Sequence, residues 1–279
     1  MRVRFLRFHS IYFIFMIMCY EGENGMSVAV LVIAHGSPDP DWRRLVEQSI
    51  ASCRERLPWP VRIAYLGDRH EGSLAEQMAK LEKEGCETVV AVPLFVSGGS
   101  THIGEIRQLL GLAPEYPLPQ AVAPRPSKMR IVWCPPLEDH PLVEQIVEDR
   151  LLALSTAARR ETLLLVGHGS DLAGYREHWE RLLQRLAATI QRRFPLASVG
   201  YATLRPDTVT ARARQLAASG TLLVLPLFIS PGYFTRRAIP RRLDGIPHRY
   251  RGEAYVPHPA IGQWIVRSAQ DALRSHGAS

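Results

Sequence analysis

Apolar runs of strand length alternate with stretches whose apolar positions recur every three to four residues, and the alternation continues from about residue 28 to the end of the chain. Near-continuous apolar runs suit strands of a parallel sheet buried on both faces, and the amphipathic stretches between them supply the covering helices. Strands are predicted at 28–34, 61–66, 88–95 and 130–134, with helices at 42–57, 73–84, 103–112 and 140–154. Ser73, with Glu76 three residues on, spells a capping box for the second helix. His140 and His258 each precede a proline at a helix start and are read as capping or surface positions.

The pattern occurs twice. VLVIAHGS at 30–37 returns as LLLVGHGS at 163–170, and PLFVSGG at 93–99 returns as PLFISPG at 226–232. His35 and Pro93 are 58 positions apart, as are His168 and Pro226. The second set of strands is predicted at 162–166, 198–202, 222–228 and 253–256. The expected architecture is therefore α/β, with two tandem duplicated domains at 26–157 and 158–279, each a parallel sheet flanked by helices. The proline-rich stretch 113–126 is a loop inside the first domain, because a strand and a helix follow it before the repeat restarts.

Residues 1–25 stand outside this pattern. Three arginines and a short apolar run resemble the start of a signal peptide, but there is no A-x-A cleavage site and the run is too short to span a bilayer. Met18 also spoils a lipoprotein reading through Cys19. The preferred reading places the translation start at Met26 and treats residues 1–25 as an unstructured over-extension. Cys19, Cys53, Cys86 and Cys134 form no CxxC pair, so neither a zinc ribbon nor a disulfide framework is indicated and a cytoplasmic setting is expected.

Charge separates the two halves. Residues 26–150 hold 13 basic and 17 acidic side chains, a net of −4, whereas residues 151–279 hold 18 and 8, a net of +10. The second half is basic through arginine alone, the side chain that pairs with carboxylates in fork geometry. An anionic ligand is expected. Nucleic acid is not, since no basic helix with interleaved aromatics is present.

In open parallel sheets, ligands gather beyond the carboxyl ends of the strands. His35 ends one strand, and His102 follows another through the glycine-rich turn of PLFVSGGSTHIGEI. Two imidazoles on one rim suit a divalent metal, and Glu105 shares the helix face of His102 if the helix has begun there. Each residue also has a plainer reading. The histidines serve equally as hydrogen-bonded strand ends, Ser37 as a turn and cap, and Glu105 as a first-turn helix charge. The second half keeps His168 but has Thr235 and Ala238 where the first has His102 and Glu105. It offers instead Arg236, Arg237, Arg241 and Arg242, either a grip for a polycarboxylate or a solvated helix face. His70 is ambiguous.

AHGS at 34–37, PLFVSGGSTHIGEI at 93–106 and the duplication resemble the sirohydrochlorin chelatases, class II enzymes of the lyase class that insert cobalt or ferrous iron into sirohydrochlorin. The resemblance covers about 28–273. It implies two chelatase-like domains and a role in cobalamin or siroheme biosynthesis. His35 and His102 would bind the metal and assist deprotonation of the pyrrole nitrogens; Glu105 enters as a third ligand from the helix face it shares with His102, not from the resemblance. Ser37, Gly98, Gly99, Ser100, Arg236 and Arg237 are the residues expected at the tetrapyrrole. The family's glutamate after the second strand falls near Gly67, where Asp68 and Glu71 are the nearby acids. No resident cofactor is implied, because the divalent metal is itself a substrate. The expected partners are the tetrapyrrole and the metal, with no membrane and a monomer through internal duplication. Two rivals remain: a non-catalytic metal or tetrapyrrole carrier, and a histidine phosphatase, whose arginine before the histidine is here Ala34 or Gly167.

Overall fold

The computed structural model describes residues 20–21, 27–66, 72–125 and 127–277. The expectation for 1–25 lies outside them, apart from a two-residue strand, β1 (Tyr20–Glu21), paired antiparallel with the start of β2 (Ser27–Ala34).

Beyond that pairing, the first half holds four parallel strands. β2 is flanked by β3 (Val61–Tyr65) and β4 (Thr88–Pro93), and β5 (Arg130–Trp133) lies outside β4. The second half repeats the arrangement with β6 (Glu161–Gly169), β7 (Ser198–Arg205), β8 (Thr221–Pro226) and β9 (His248–Arg249), in the order β7-β6-β8-β9. Register confirms the repeat: Val30 pairs with Val61, and its counterpart Leu163 pairs with Val199. The duplicated α/β fold predicted from the sequence is the fold observed.

The strands are apolar throughout because each sheet is covered twice. Along β2, Ala29, Leu31 and Ile33 face α2 (Leu74–Lys83) and α3 (Thr101–Leu109), while Val28, Val30 and Val32 enter a larger core on the other face. That larger core is shared by both halves. It contains residues of α1 (Pro40–Arg54), α4 (Pro141–Leu154), α5 (Tyr175–Arg193) and α8 (Pro259–Gly277). The far face of the second sheet is covered by α6 (Val209–Ala217) and α7 (Ile239–Arg242). The layers thus run helix, sheet, helix, sheet, helix, with each buried Leu, Ile or Val contributing about 1.5–3 kcal/mol to cohesion.

The final helix of each half reaches across to the other. α4 packs on β8 and α5, and α8 packs on α1, β4 and β5. Both start on the histidines read as caps: His140 Nδ1 accepts from Leu142 N at 3.1 Å, and His258 Nδ1 from Ala260 N at 3.2 Å. The Ser73 cap also forms, its hydroxyl accepting from Glu76 N at 3.2 Å, although the Glu76 carboxylate takes Gly72 N rather than the amide of Ser73.

One element differs from expectation. The last strand of the second sheet is His248–Arg249, and 253–256 forms no strand. Tyr255 N and Val256 N donate instead to Phe228 O and Ile229 O, so the segment borders the rim beyond β8. Its apolar side chains are buried there, which accounts for the strand-like signal.

Candidate active site

The chain leaves β2 directly into His35, Gly36 and Ser37. Gly36 has φ +83°, a left-handed turn that favours glycine and lets the chain leave the sheet at once. His35 is exposed, and its Nδ1 donates to Gly36 O at 2.8 Å, which leaves Nε2 as the lone-pair nitrogen. Ser37 Oγ accepts from Asp39 N at 3.1 Å, ahead of the α1 cap at Asp39.

The second imidazole arrives from β4. The turn after Pro93 is built tightly: Ser97 Oγ accepts from Gly99 N at 3.0 Å, and Gly98 N donates to Glu138 Oε1 at 2.6 Å. Gly99 has no room for a side chain, since a Cβ would lie 2.7 Å from both Trp179 Cδ1 and Tyr175 O. α3 then begins at Thr101, placing His102 and Glu105 on one face of its first turn. His102 Nδ1 donates to Glu105 Oε2 at 2.8 Å. The His35 and His102 rings stand edge to face with centroids 4.7 Å apart. Both Nδ1 atoms are anchored, so each ring keeps Nε2 for a ligand.

A cavity of about 710 Å³ opens beside this pair, and both halves line it. The first half contributes His35, Ser37, Gly99, Ser100 and His102, the second His168, Arg205, Tyr233, Phe234 and Thr235. His168 repeats the pose of His35, with Nδ1 on Gly169 O at 2.9 Å. Burial holds its imidazole below the usual histidine range, and the charges of Arg205, His102 and His35 act in the same direction. Trp42 and Trp179 complete the walls.

Of the residues singled out in the sequence, His35, Ser37, Gly99, Ser100 and His102 meet in this cavity. Gly98 does not. It faces a separate hollow of about 410 Å³, toward Glu138 and His178. Arg236 and Arg237 also lie outside the lining, and Arg236 pairs with Asp39 at 3.2 Å across the two halves. The Glu105 carboxylate is engaged behind His102, and no group of three His, Cys, Asp or Glu side chains suited to a metal occurs among the described residues. Gly67, Asp68, His70 and Glu71 lie outside them.

Sequence reasoning missed Arg205 and the presence of His168 in the same cavity. Arg205 pairs in register with Gly169 at the end of β7, so the strand-end rule applied to the second copy would have found it. That the two rims face each other has no sequence signal.

Two duplicated sheets with their carboxyl ends lining one cleft, and a paired-histidine rim on one side, define a duplicated α/β protein built around one shared cavity. The CbiX family model matches residues 29–154 and again 162–272, and the chain belongs to that family. A sirohydrochlorin cobaltochelatase of Sulfurisphaera tokodaii is 30% identical over 86 residues, covering 30% of this chain and 68% of that protein. One from Methanopyrus kandleri is 27% identical over 136 residues, covering 44% and 94%. Among solved structures, SirB from Bacillus subtilis with Fe3+ superposes with a TM-score of 0.70 at 18% identity, covering 90% of this chain and 98% of SirB. The structure of CbiX described as the terminal enzyme for siroheme biosynthesis in denitrifying bacteria gives 0.58 at 20% identity, covering 88% and 99%. The family resemblance read from the motifs is borne out.

Proposed function

We propose that this chain is a sirohydrochlorin chelatase that inserts a divalent metal, cobalt or ferrous iron, into the tetrapyrrole. The carrying observation is the pair His35 and His102, 4.7 Å apart, each with Nδ1 anchored and Nε2 left for the cavity. Two nitrogen ligands leave coordination positions open, which a metal in transit requires. The metal is a substrate, delivered and then released into the ring.

Insertion exchanges one divalent ion for the two N–H protons of the macrocycle. As the metal passes to the ring nitrogens, the Nε2 atoms of His35 and His102 lose a metal bond and become free to accept a proton. Glu105, on Nδ1 of His102, stabilises the positive imidazole that results. Neither ATP nor redox chemistry is needed. Arg205 offers a guanidinium to a ring carboxylate inside the cleft, and the net positive charge of the second half attracts a polyanion from further away. Because one chain supplies both rims, the cleft is complete in a single copy and the protein acts as a monomer.

The test is cobalt insertion followed by absorption with enzyme at a small fraction of the tetrapyrrole concentration. Complete conversion is expected, and conversion that stops at one equivalent would establish a carrier instead. His35→Ala and His102→Ala should each remove nearly all catalysed insertion while circular dichroism stays native. His168→Ala should still bind cobalt, since its ring is not part of the pair.

A further inference from the structure

The duplicated rims have diverged in chemistry at equivalent positions. Leu94 N donates to Ile33 O and Leu227 N to Val166 O; Leu137 N donates to Phe95 O and Tyr255 N to Phe228 O. These matching bonds equate Phe95 with Phe228, and counting forward equates Thr101 and His102 with Phe234 and Thr235. In the first copy the ring beside Phe95 is the His102 imidazole, with centroids 6.5 Å apart. In the second it is the Phe234 phenyl, stacked on Phe228 at 5.4 Å with the planes inclined by 23°.

The second copy carries its turn differently. Thr235 is buried, and its hydroxyl is taken up by Gly232, accepting from the amide at 3.0 Å. Residues Phe234–Ala238 form a π-turn where the first copy begins a regular α-helix. Such turns are rare and concentrate at functional sites. Here the turn presents Tyr233 and Phe234, 61% and 37% exposed, to the cleft. Four large hydrophobic side chains are exposed among the described residues, and three of them, Leu172, Tyr233 and Phe234, line this one cavity. Phe234 also meets the His168 ring edge to face at 5.1 Å, so its orientation is fixed from two sides.

We infer that the second copy has exchanged a metal ligand for an aromatic platform, in which Phe234, braced by Phe228 and His168 and flanked by Tyr233, binds the face of the flat macrocycle opposite the His35–His102 pair. The duplication then divides one reaction between its copies: the first holds the ion and the second holds the ring. Phe234 is a positioning residue, acting on the orientation of the ring relative to the metal. This inference rests on the chelatase reading above and adds the site that takes the substrate's π-face. Stacking requires a planar side chain, whereas simple burial does not.

The experiment compares Phe234→Ala, Phe234→Leu and Phe234→Tyr. Each variant is measured for cobalt binding by calorimetry, for binding of metal-free sirohydrochlorin through quenching of the cavity tryptophans Trp42 and Trp179, and for steady-state cobalt insertion. Alanine and leucine should raise the sirohydrochlorin dissociation constant and KM by about fivefold or more, as loss of an aromatic contact implies. KM should rise more than kcat falls. Tyrosine should restore wild-type values, and all three should bind cobalt normally. Wild-type ring binding by Phe234→Leu, with wild-type enzyme fully active, would overturn the platform and leave the chelatase reading intact. A wild-type chain that neither binds nor metallates sirohydrochlorin would overturn both.

Discussion

Glu105 Oε2 lies 2.8 Å from His102 Nδ1, one helical turn along the same face of α3. This bond fixes the ring orientation and the tautomer and leaves the Nε2 lone pair free, so in the proposed site Glu105 supports His102 and does not itself bind the metal. Glu105→Ala should lower cobalt affinity and turnover by about 10- to 100-fold, the usual effect of losing such a partner. Glu105→Gln keeps an oxygen that can accept from Nδ1 and should retain most of the affinity. Calorimetric cobalt titration of both variants checks this. Equal losses would mean that the carboxylate binds the metal directly.

Arg205 lines the cleft and, among the described residues, pairs with Asp171 at 3.7 Å, with both side chains well exposed. Arg205→Ala should therefore raise KM for the tetrapyrrole severalfold and flatten its dependence on ionic strength, because exposed charges are screened over about 8 Å at physiological salt. Arg236→Ala, which removes a surface pair with Asp39, should change KM much less. Salt titrations of KM for the two variants distinguish a cleft arginine from a basic helix face.

Much of the architecture was legible because it depends on local signals. The Ser73 cap, the proline-flanked histidine caps and every predicted strand run except 253–256 each follow from a few neighbouring residues, and the structure contains them. The histidine pair was legible for a similar reason, since His35 directly follows β2 and His102 follows the adjacent parallel strand β4 through one short turn. Helix exchange was not. The apolar face of α8 shows that it is buried but not against which sheet, and in this chain it is the first. Arg236 and Arg237 illustrate the same gap, because an arginine count carries no direction, and these side chains lie outside the cleft that Arg205 lines.

His140 ties the start of α4 to pH. Its Nδ1 must be unprotonated to accept from Leu142 N, and burial, helped by the charge of Arg267, holds its pKa below the usual histidine value. The unfolded chain therefore takes up a proton near pH 6.5 before the folded one does. Stability is full above about pH 6.5 and falls as pH drops through it toward the lower folded value. His140→Asn supplies a cap that does not titrate, and urea denaturation at a series of pH values should show a shallower loss between pH 7 and 5. A remaining slope is expected from His168, whose pKa is lowered in the same sense.

The exchange of α4 and α8 makes the halves one folding unit. Gly262 of α8 lies against α1 so closely that a Cβ would fall 2.2 Å from Ser52 Oγ and 3.1 Å from Ser49 O. Cys134 of the first half meets Ser268 O at 3.4 Å, and Trp264, 1% exposed, enters the shared core. Residues 27–154 alone would thus leave the face made by α1, β4 and β5 without its cover. We expect that fragment to lack native near-ultraviolet circular dichroism, and the full chain to unfold in urea in a single transition by fluorescence and circular dichroism alike. Trp264→Ala should lower stability by about 3–5 kcal/mol. It should also shift that single transition as a whole, because the tryptophan lies in the core that both sheets share. Two separate transitions, or a native-like fragment, would show that each half stands without the other's helix.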